Sequence, residues 1–123
     1  MNNNKIFIKA EILVARHYES QDWKVLAHQY RCLGSEIDLI VMKRKMLVFV
    51  EVKYRRAQLG SSFTIDQLLG YKKRQALWCG AQHFLTRNLL DYSSCRFDLV
   101  VVRQSDNNSG ARDLDFKVHQ NVM

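Results

Sequence analysis

Two apolar runs separated by three basic residues constrain this chain more than any other feature. Glu36-Ile37-Asp38-Leu39-Ile40-Val41-Met42 and Met46-Leu47-Val48-Phe49-Val50-Glu51-Val52-Lys53-Tyr54 are rich in β-branched and aromatic residues, and Lys43-Arg44-Lys45 between them has room only for a tight turn. They predict an antiparallel hairpin. Side chains alternate along a strand, so Glu36 and Asp38 share one face while Ile37, Leu39 and Val41 share the other, and Glu51 and Lys53 fall together on the second strand. Counted from the turn, Asp38 and Glu51 lie at similar distances and meet across the ladder. Three carboxylates, those of Glu36, Asp38 and Glu51, and the Lys53 ammonium therefore converge at the open end of the hairpin.

The rest of the chain supplies elements to flank that hairpin. Lys5 to Glu19 reads as a helix with Phe7, Ile8, Ile12, Ala15 and Tyr18 on one apolar stripe, and Glu11 falls inside the stripe. Ser20-Gln21-Asp22 breaks the pattern, and Trp23 to Cys32 alternates as a strand that ends at a Gly34-Ser35 turn. Arg55 to Ser62 reads as a loop. From Thr64 to Arg87, Leu68, Leu69, Leu77, Trp78, Ala81, Phe84 and Leu85 recur at helical spacing, with Gly70 dividing a short helix from a longer one. Arg96 to Arg103 is a further apolar strand, Gln104 to Gly110 a polar loop, and Leu114 to His119 a short edge strand. The expected fold is α/β: a central mixed sheet of four or five strands, in chain order α-β-β-β-α-β-β, flanked by helices as a single domain over residues 1–123.

Composition limits the setting. No apolar run approaches the roughly 18 residues of a membrane span, and the interrupted N-terminal segment lacks a signal-peptide core. A cytoplasmic protein with no membrane partner is expected. The 3 cysteines, Cys32, Cys79 and Cys95, are odd in number and far apart, which favours buried, reduced thiols over disulfides or zinc. None of the 4 histidines has ligand spacing. Trp23, Trp78 and Phe84 are assigned to the core, Asp98 to a pairing with Arg96 or a helix, and Tyr54 and Tyr71 to packing.

Charge sharpens the picture. The net charge of +7 calls for an anionic partner, and 9 of the 19 basic residues lie between Lys43 and Arg74, where only Glu51 and Asp66 offset them. Arg55 and Arg56 follow the second strand, and Lys72, Lys73 and Arg74 open the long helix, so both groups are candidates to hold phosphates. Lys43 to Lys45, at the far end of the hairpin, read as a solubilising surface. Two chemistries suit the acidic cluster between those flanks. Carboxylates on rigid strands suit a hard cation such as Mg²⁺ or Mn²⁺, beside which a lysine orients water and meets charge developing on a phosphoryl group. An ordinary cross-strand ion-pair cluster on a solvated face is the other.

The same residues resemble a known pattern. Asp38 followed by Glu51-Val52-Lys53 on the next strand resembles the PD-(D/E)xK signature of restriction-endonuclease-like proteins, and the preceding helix with Glu11 is similar to that of archaeal Holliday-junction resolvases. Tyr30-Arg31-Cys32, Gly34-Ser35-Glu36-Ile37-Asp38-Leu39-Ile40, Leu47 to Arg55, Lys73 with Leu77 and Ala81, and Cys95-Arg96-Phe97-Asp98 resemble the bacterial YraN family, an uncharacterised group described as endonuclease-like. The resemblance runs from the first helix to the fourth strand. It implies a restriction-endonuclease-like fold and metal-dependent cutting of DNA, branched or structured DNA included. Asp38, Glu51 and the Val52 carbonyl are then metal ligands and Lys53 the catalytic lysine. Glu11 becomes a second acid serving water or a second metal. Glu36 belongs to the family block without a role in the general signature and stays a further candidate ligand. Ile37 stands where the superfamily often carries proline. DNA is favoured over RNA, and a homodimer follows by analogy, since cutting both strands of a junction takes two sites. The alternatives are a nucleic-acid-binding module without turnover in a DNA-processing complex, and a protein-interaction subunit.

Overall fold

A computed structural model of the chain describes residues 3–56, 64–106 and 112–123. Helix α1 (Asn3–Ser20) leads into a meander of β1 (Lys24–Cys32), β2 (Ser35–Lys43) and β3 (Met46–Arg56). A short α2 (Ile65–Leu68) and a long α3 (Tyr71–Arg87) follow, and then β4 (Ser94–Asp106) and β5 (Arg112–His119). The strands form one sheet in the order β1-β2-β3-β4-β5, with β3 and β4 parallel and every other pair antiparallel. The mixed α/β architecture expected from the sequence is the one observed, including the short helix α2 that Gly70 divides from α3. Most of the expected loop after β3, including Gly60-Ser61-Ser62, and the tip of the loop after β4 fall outside the described residues.

Local chemistry sets the turns. Leu33 (φ 47°) and Gly34 (φ 77°) both adopt the left-handed conformation between Cys32 and Ser35, the backbone of a two-residue turn that matches strand twist. Arg44 (φ 55°) does the corresponding work between Lys43 and Met46. Thr64 caps α2: its hydroxyl accepts from the Gln67 N–H while the Gln67 side chain accepts from the Thr64 N–H. Leu69 is then buried and Gly70 starts α3 afresh.

The sheet carries a hydrophobic layer on each face. Ile37, Ile40, Leu47, Phe49, Phe97, Leu99 and Val101 pack with Leu77, Ala81 and Phe84 of α3. Leu39, Val41, Val48, Val50, Val52, Val100 and Val102 pack with Ala10, Val14, Ala15 and Tyr18 of α1. The buried stripe of α1 thus runs through 10, 11, 14, 15 and 18, whereas Ile8 and Ile12 are about half exposed, so the stripe is rotated from the one read off the sequence; the side chain of Phe7 lies outside the described residues. Trp78 is likewise 53% exposed, contrary to its assignment to the core, because Leu77 and Ala81 take the inward face of α3. The cysteines are unpaired as expected, but Cys79 and Cys95 are exposed and Cys32 only half-buried. Among the described residues no helix is long and apolar enough to cross a membrane.

Candidate active site

The β2–β3 ladder runs regularly from Lys43↔Met46 to Leu39↔Val50 and stops there. The next link is made by a side chain: Asp38 Oδ2 accepts the Val52 N–H at 2.8 Å. Alternation fails at the same place. Leu39 and Val41 face α1 while Ile37 faces α3, so the expectation that these three share a face does not hold. The two strands part at Asp38, and the buried carboxylate fills the gap with one backbone donor already satisfied. Val52 presents its carbonyl on the same strand edge as its N–H, and therefore toward this gap.

Three acids from three elements enter the gap. Asp38, Glu51 and Glu11 are 5%, 4% and 8% exposed, while their apolar neighbours are almost wholly buried. Glu51 comes from β3 on the α3 side; its oxygens lie 3.8 Å from Lys53 Nζ and 3.5 Å from Lys73 Nζ. Glu11 comes from α1 on the opposite side, with Oε2 accepting from Gln29 Nε2 at 2.9 Å and with Asp38 and Glu36 near enough for their charges to act on it. Buried Glu11 Oε1 and Glu51 Oε2 have no hydrogen-bond partner among the described residues. The Lys73 contact is thus an ion pair without the alignment of a hydrogen bond.

Electrostatics follow from that packing. Burial pushes the Glu51 carboxyl up to about 8, and the neighbouring Asp38 carboxylate adds to the rise, outweighing the pull of Lys73 and Lys53. Glu11 rises to about 7, again chiefly through burial, with Gln29 pulling it down and Asp38 and Glu36 pushing it up. The cluster holds more negative charge than its two lysines neutralise. Either protons or a cation must make up the difference.

The donor set fits one class of cation. Among the described residues no three His, Cys, Asp or Glu side chains converge as a protein-built metal cage. Mg²⁺ and Mn²⁺ do not need one, because one or two carboxylates plus waters and substrate oxygens satisfy them. Asp38, Glu51 and the Val52 carbonyl supply such a set, and the unpartnered Glu51 oxygen is the observation that favours it.

The remaining candidates divide. Glu36 pairs with Arg31 at 3.5 Å at the half-exposed rim. Arg55 donates to the Tyr54 carbonyl at 2.7 Å, and Arg56 and Lys72 are exposed. Arg74 turns away to Asp66 at 2.9 Å. Asp98 does pair with Arg96, at 3.0 Å, and also accepts from the Tyr18 hydroxyl at 2.9 Å. Tyr54 is half-buried and donates to Gln104, whereas Tyr71 is exposed rather than packed. Sequence reasoning grouped Lys73 with the phosphate binders, but its ammonium meets Glu51; lying one helical turn before Leu77 on the buried face was the available signal. Gln29 was missed altogether, since a glutamine in a half-polar strand carries no mark of its own.

Comparison with known proteins agrees with the resemblance. The model of the Uncharacterised protein family UPF0102, which is the YraN family, matches residues 10–102. A UPF0102 protein of Saccharophagus degradans is 40% identical over 101 residues, covering 81% of this chain and 84% of the relative. One of Francisella tularensis subsp. novicida is 35% identical over 111 residues, covering 88% and 92%. One of Synechococcus is 38% identical over 101 residues, covering 81% and 76%.

Proposed function

The chain belongs to the uncharacterised protein family UPF0102, and from its buried acid cluster we propose that it is a Mg²⁺- or Mn²⁺-dependent endonuclease that hydrolyses phosphodiester bonds in DNA. One observation carries the reading: Asp38 and Glu51 are nearly inaccessible at the mouth of a parted hairpin, and Glu51 Oε2 has no hydrogen-bond partner among the described residues although two lysines stand within 4.0 Å of Glu51. The likeness of Asp38 and Glu51-Val52-Lys53 to PD-(D/E)xK nucleases supports the same reading.

Asp38, Glu51 and the Val52 carbonyl would hold the metal, which supplies Lewis-acid polarisation of the scissile phosphate and a lowered water pKa. Lys53, 3.8 Å from Glu51, orients the attacking water and meets charge building on the phosphoryl oxygens. Glu11, raised to about 7, stands on the other wall as the proton acceptor. Lys73 closes the α3 side, and Arg55, Arg56 and Lys72 are the residues proposed to engage phosphates, while Arg74 is held by Asp66. Cytoplasmic DNA with branches is the favoured substrate, and a homodimer supplies the second site for a second strand.

Purified protein incubated with branched, flapped and linear DNA, and with RNA, in Mg²⁺, Mn²⁺ or EDTA tests this. Metal-dependent cutting of DNA that Asp38→Asn abolishes is expected; no cutting, or equal cutting by the variant, overturns it. The double engagement of Glu51 by Lys53 and Lys73 favours one second reading, a DNA-binding module whose lysines take the place of a metal. That reading expects salt-dependent DNA binding that survives Glu51→Gln, without turnover. Absence of DNA binding at physiological salt would instead favour a protein-interaction subunit.

A further inference from the structure

Gln29 combines three observations that ordinary strand packing does not require. Its φ is 48°, a left-handed conformation that costs a residue with a side chain free energy inside a strand. No residue is inserted to explain it: His28↔Leu39 and Tyr30↔Ile37 keep one register across it, which puts Gln29 opposite Asp38. The amide then reaches from the exposed surface of β1 to buried Glu11, with Nε2 donating to Oε2 at 2.9 Å.

The backbone conformation has a visible consequence. Ala27 packs on the α3 side and His28 pairs with Leu39, which faces α1; Tyr30, paired with Ile37, packs on the α3 side again. Simple alternation would put Tyr30 and His28 on the same face. The left-handed residue absorbs the extra half-turn in β1 at the position where β2 makes its own switch at Asp38. Both strands therefore change face together, and the Gln29 amide is delivered to the acid cluster.

We infer that Gln29 is a positioning residue for the nuclease reaction, fixing the Glu11 carboxylate so that Oε2 is occupied and buried Oε1 is left without a hydrogen-bond partner among the described residues; this rests on the reading given under Proposed function. Without the amide, Glu11 can rotate about its terminal bond and offer either oxygen, or draw back from Asp38. Rigid support of this kind around reacting groups is typically worth about 10–100-fold in activity.

Two variants separate positioning from mere structure, because they share a lost amide and differ in backbone. Gln29→Gly accepts the left-handed conformation, whereas Gln29→Met keeps the length and the strain. The inference expects both to lose about 10–100-fold in kcat with KM within about twofold, although glycine melts at a higher temperature than methionine. It also expects Gln29→Gly to cause no further loss in a Glu11→Gln background. If kcat follows the melting temperature, so that glycine retains wild-type turnover, or if the loss persists without the Glu11 carboxylate, the inference is overturned while the nuclease reading stands. If the wild-type protein cuts nothing, the nuclease reading falls and this inference with it.

Discussion

Replacing Glu51 with glutamine should make the metal-free protein more stable while ending its activity. The wild-type carboxyl is 4% exposed and moves from 4.5 to about 8 on folding, chiefly through burial. The native state therefore holds a proton that the unfolded chain has released across that range, and wild-type stability falls as pH rises from about 4.5 through about 8. Each pH unit is worth about 1.36 kcal/mol, which puts the full cost above pH 8 on the order of 5 kcal/mol. Glutamine keeps the shape and cannot ionise, but it sets a dipole where Lys53 and Lys73 met a charge, so a net gain of about 2 kcal/mol is expected at pH 9. For a chain of this size that corresponds to a rise of about 8 °C in Tm. Thermal unfolding in EDTA, followed by circular dichroism at steps from pH 5 to pH 9, measures it, and the difference between variant and wild type cancels every group they share. The gap should open with pH and close near pH 5. A gap of the opposite sign at pH 9, or one that does not change with pH, would show that Glu51 is not held against its charge.

Three further outcomes follow from the same geometry. Millimolar Mg²⁺ or Mn²⁺ should raise the wild-type Tm more at pH 8 than at pH 6, because Glu11 and Glu51 then have fewer protons to displace, and Asp38→Asn should remove the effect in a thermal-shift titration. Gly80→Ala should destabilise by about 1–3 kcal/mol in urea unfolding, since a Cβ there would meet Ser35 Oγ at 2.7 Å and Ile37 Cδ1 at 3.1 Å and push α3 off β2. Arg56→Ala and Lys72→Ala should each lower the slope of log K against log salt for DNA by about 0.9, whereas Lys43→Ala at the far end of the hairpin should leave it unchanged.

Much of the fold was legible because its strands are short, strongly β-branched and bounded by turn residues. The hairpin from Glu36 to Tyr54 and the break at Gly70 are local facts. So is Glu11 inside an apolar stripe, which was visible as an anomaly before any partner for it was known. What stayed hidden depends on distance in the chain. Periodicity assigned Trp78 to the core because it scores hydrophobicity and not which side of α3 meets the sheet, and Leu77 and Ala81 take that side instead. The same limit rotated the stripe of α1, which buries Ala10 and Val14 in place of Ile8 and Ile12. Strict alternation placed Ile37 with Leu39 and Val41, and failed because alternation assumes an unbroken ladder, whereas the β2–β3 pairing ends at Leu39↔Val50.

That failure marks the site. Up to Leu39↔Val50 the hairpin obeys the pattern that built it, and its side chains fill two hydrophobic layers. One residue later the ladder ends, Asp38 replaces a backbone acceptor, and Gln29 opposite it takes a left-handed φ. A continuous ladder would set Asp38 opposite Glu51 on the α3 face that Ile40 and Phe49 already share. With the strands parted, Asp38 bonds the Val52 N–H instead, while Glu51 stays on the α3 side and Glu11 comes from the opposite layer, all three less than 10% exposed. The basic residues that dominate the net charge cannot follow, since long side chains keep their ends at the surface. Among the described residues Lys53 and Lys73 are the cations that reach Glu51, each within 4.0 Å. A phosphate approaching that centre would meet carboxylates that repel it until a cation or protons intervene.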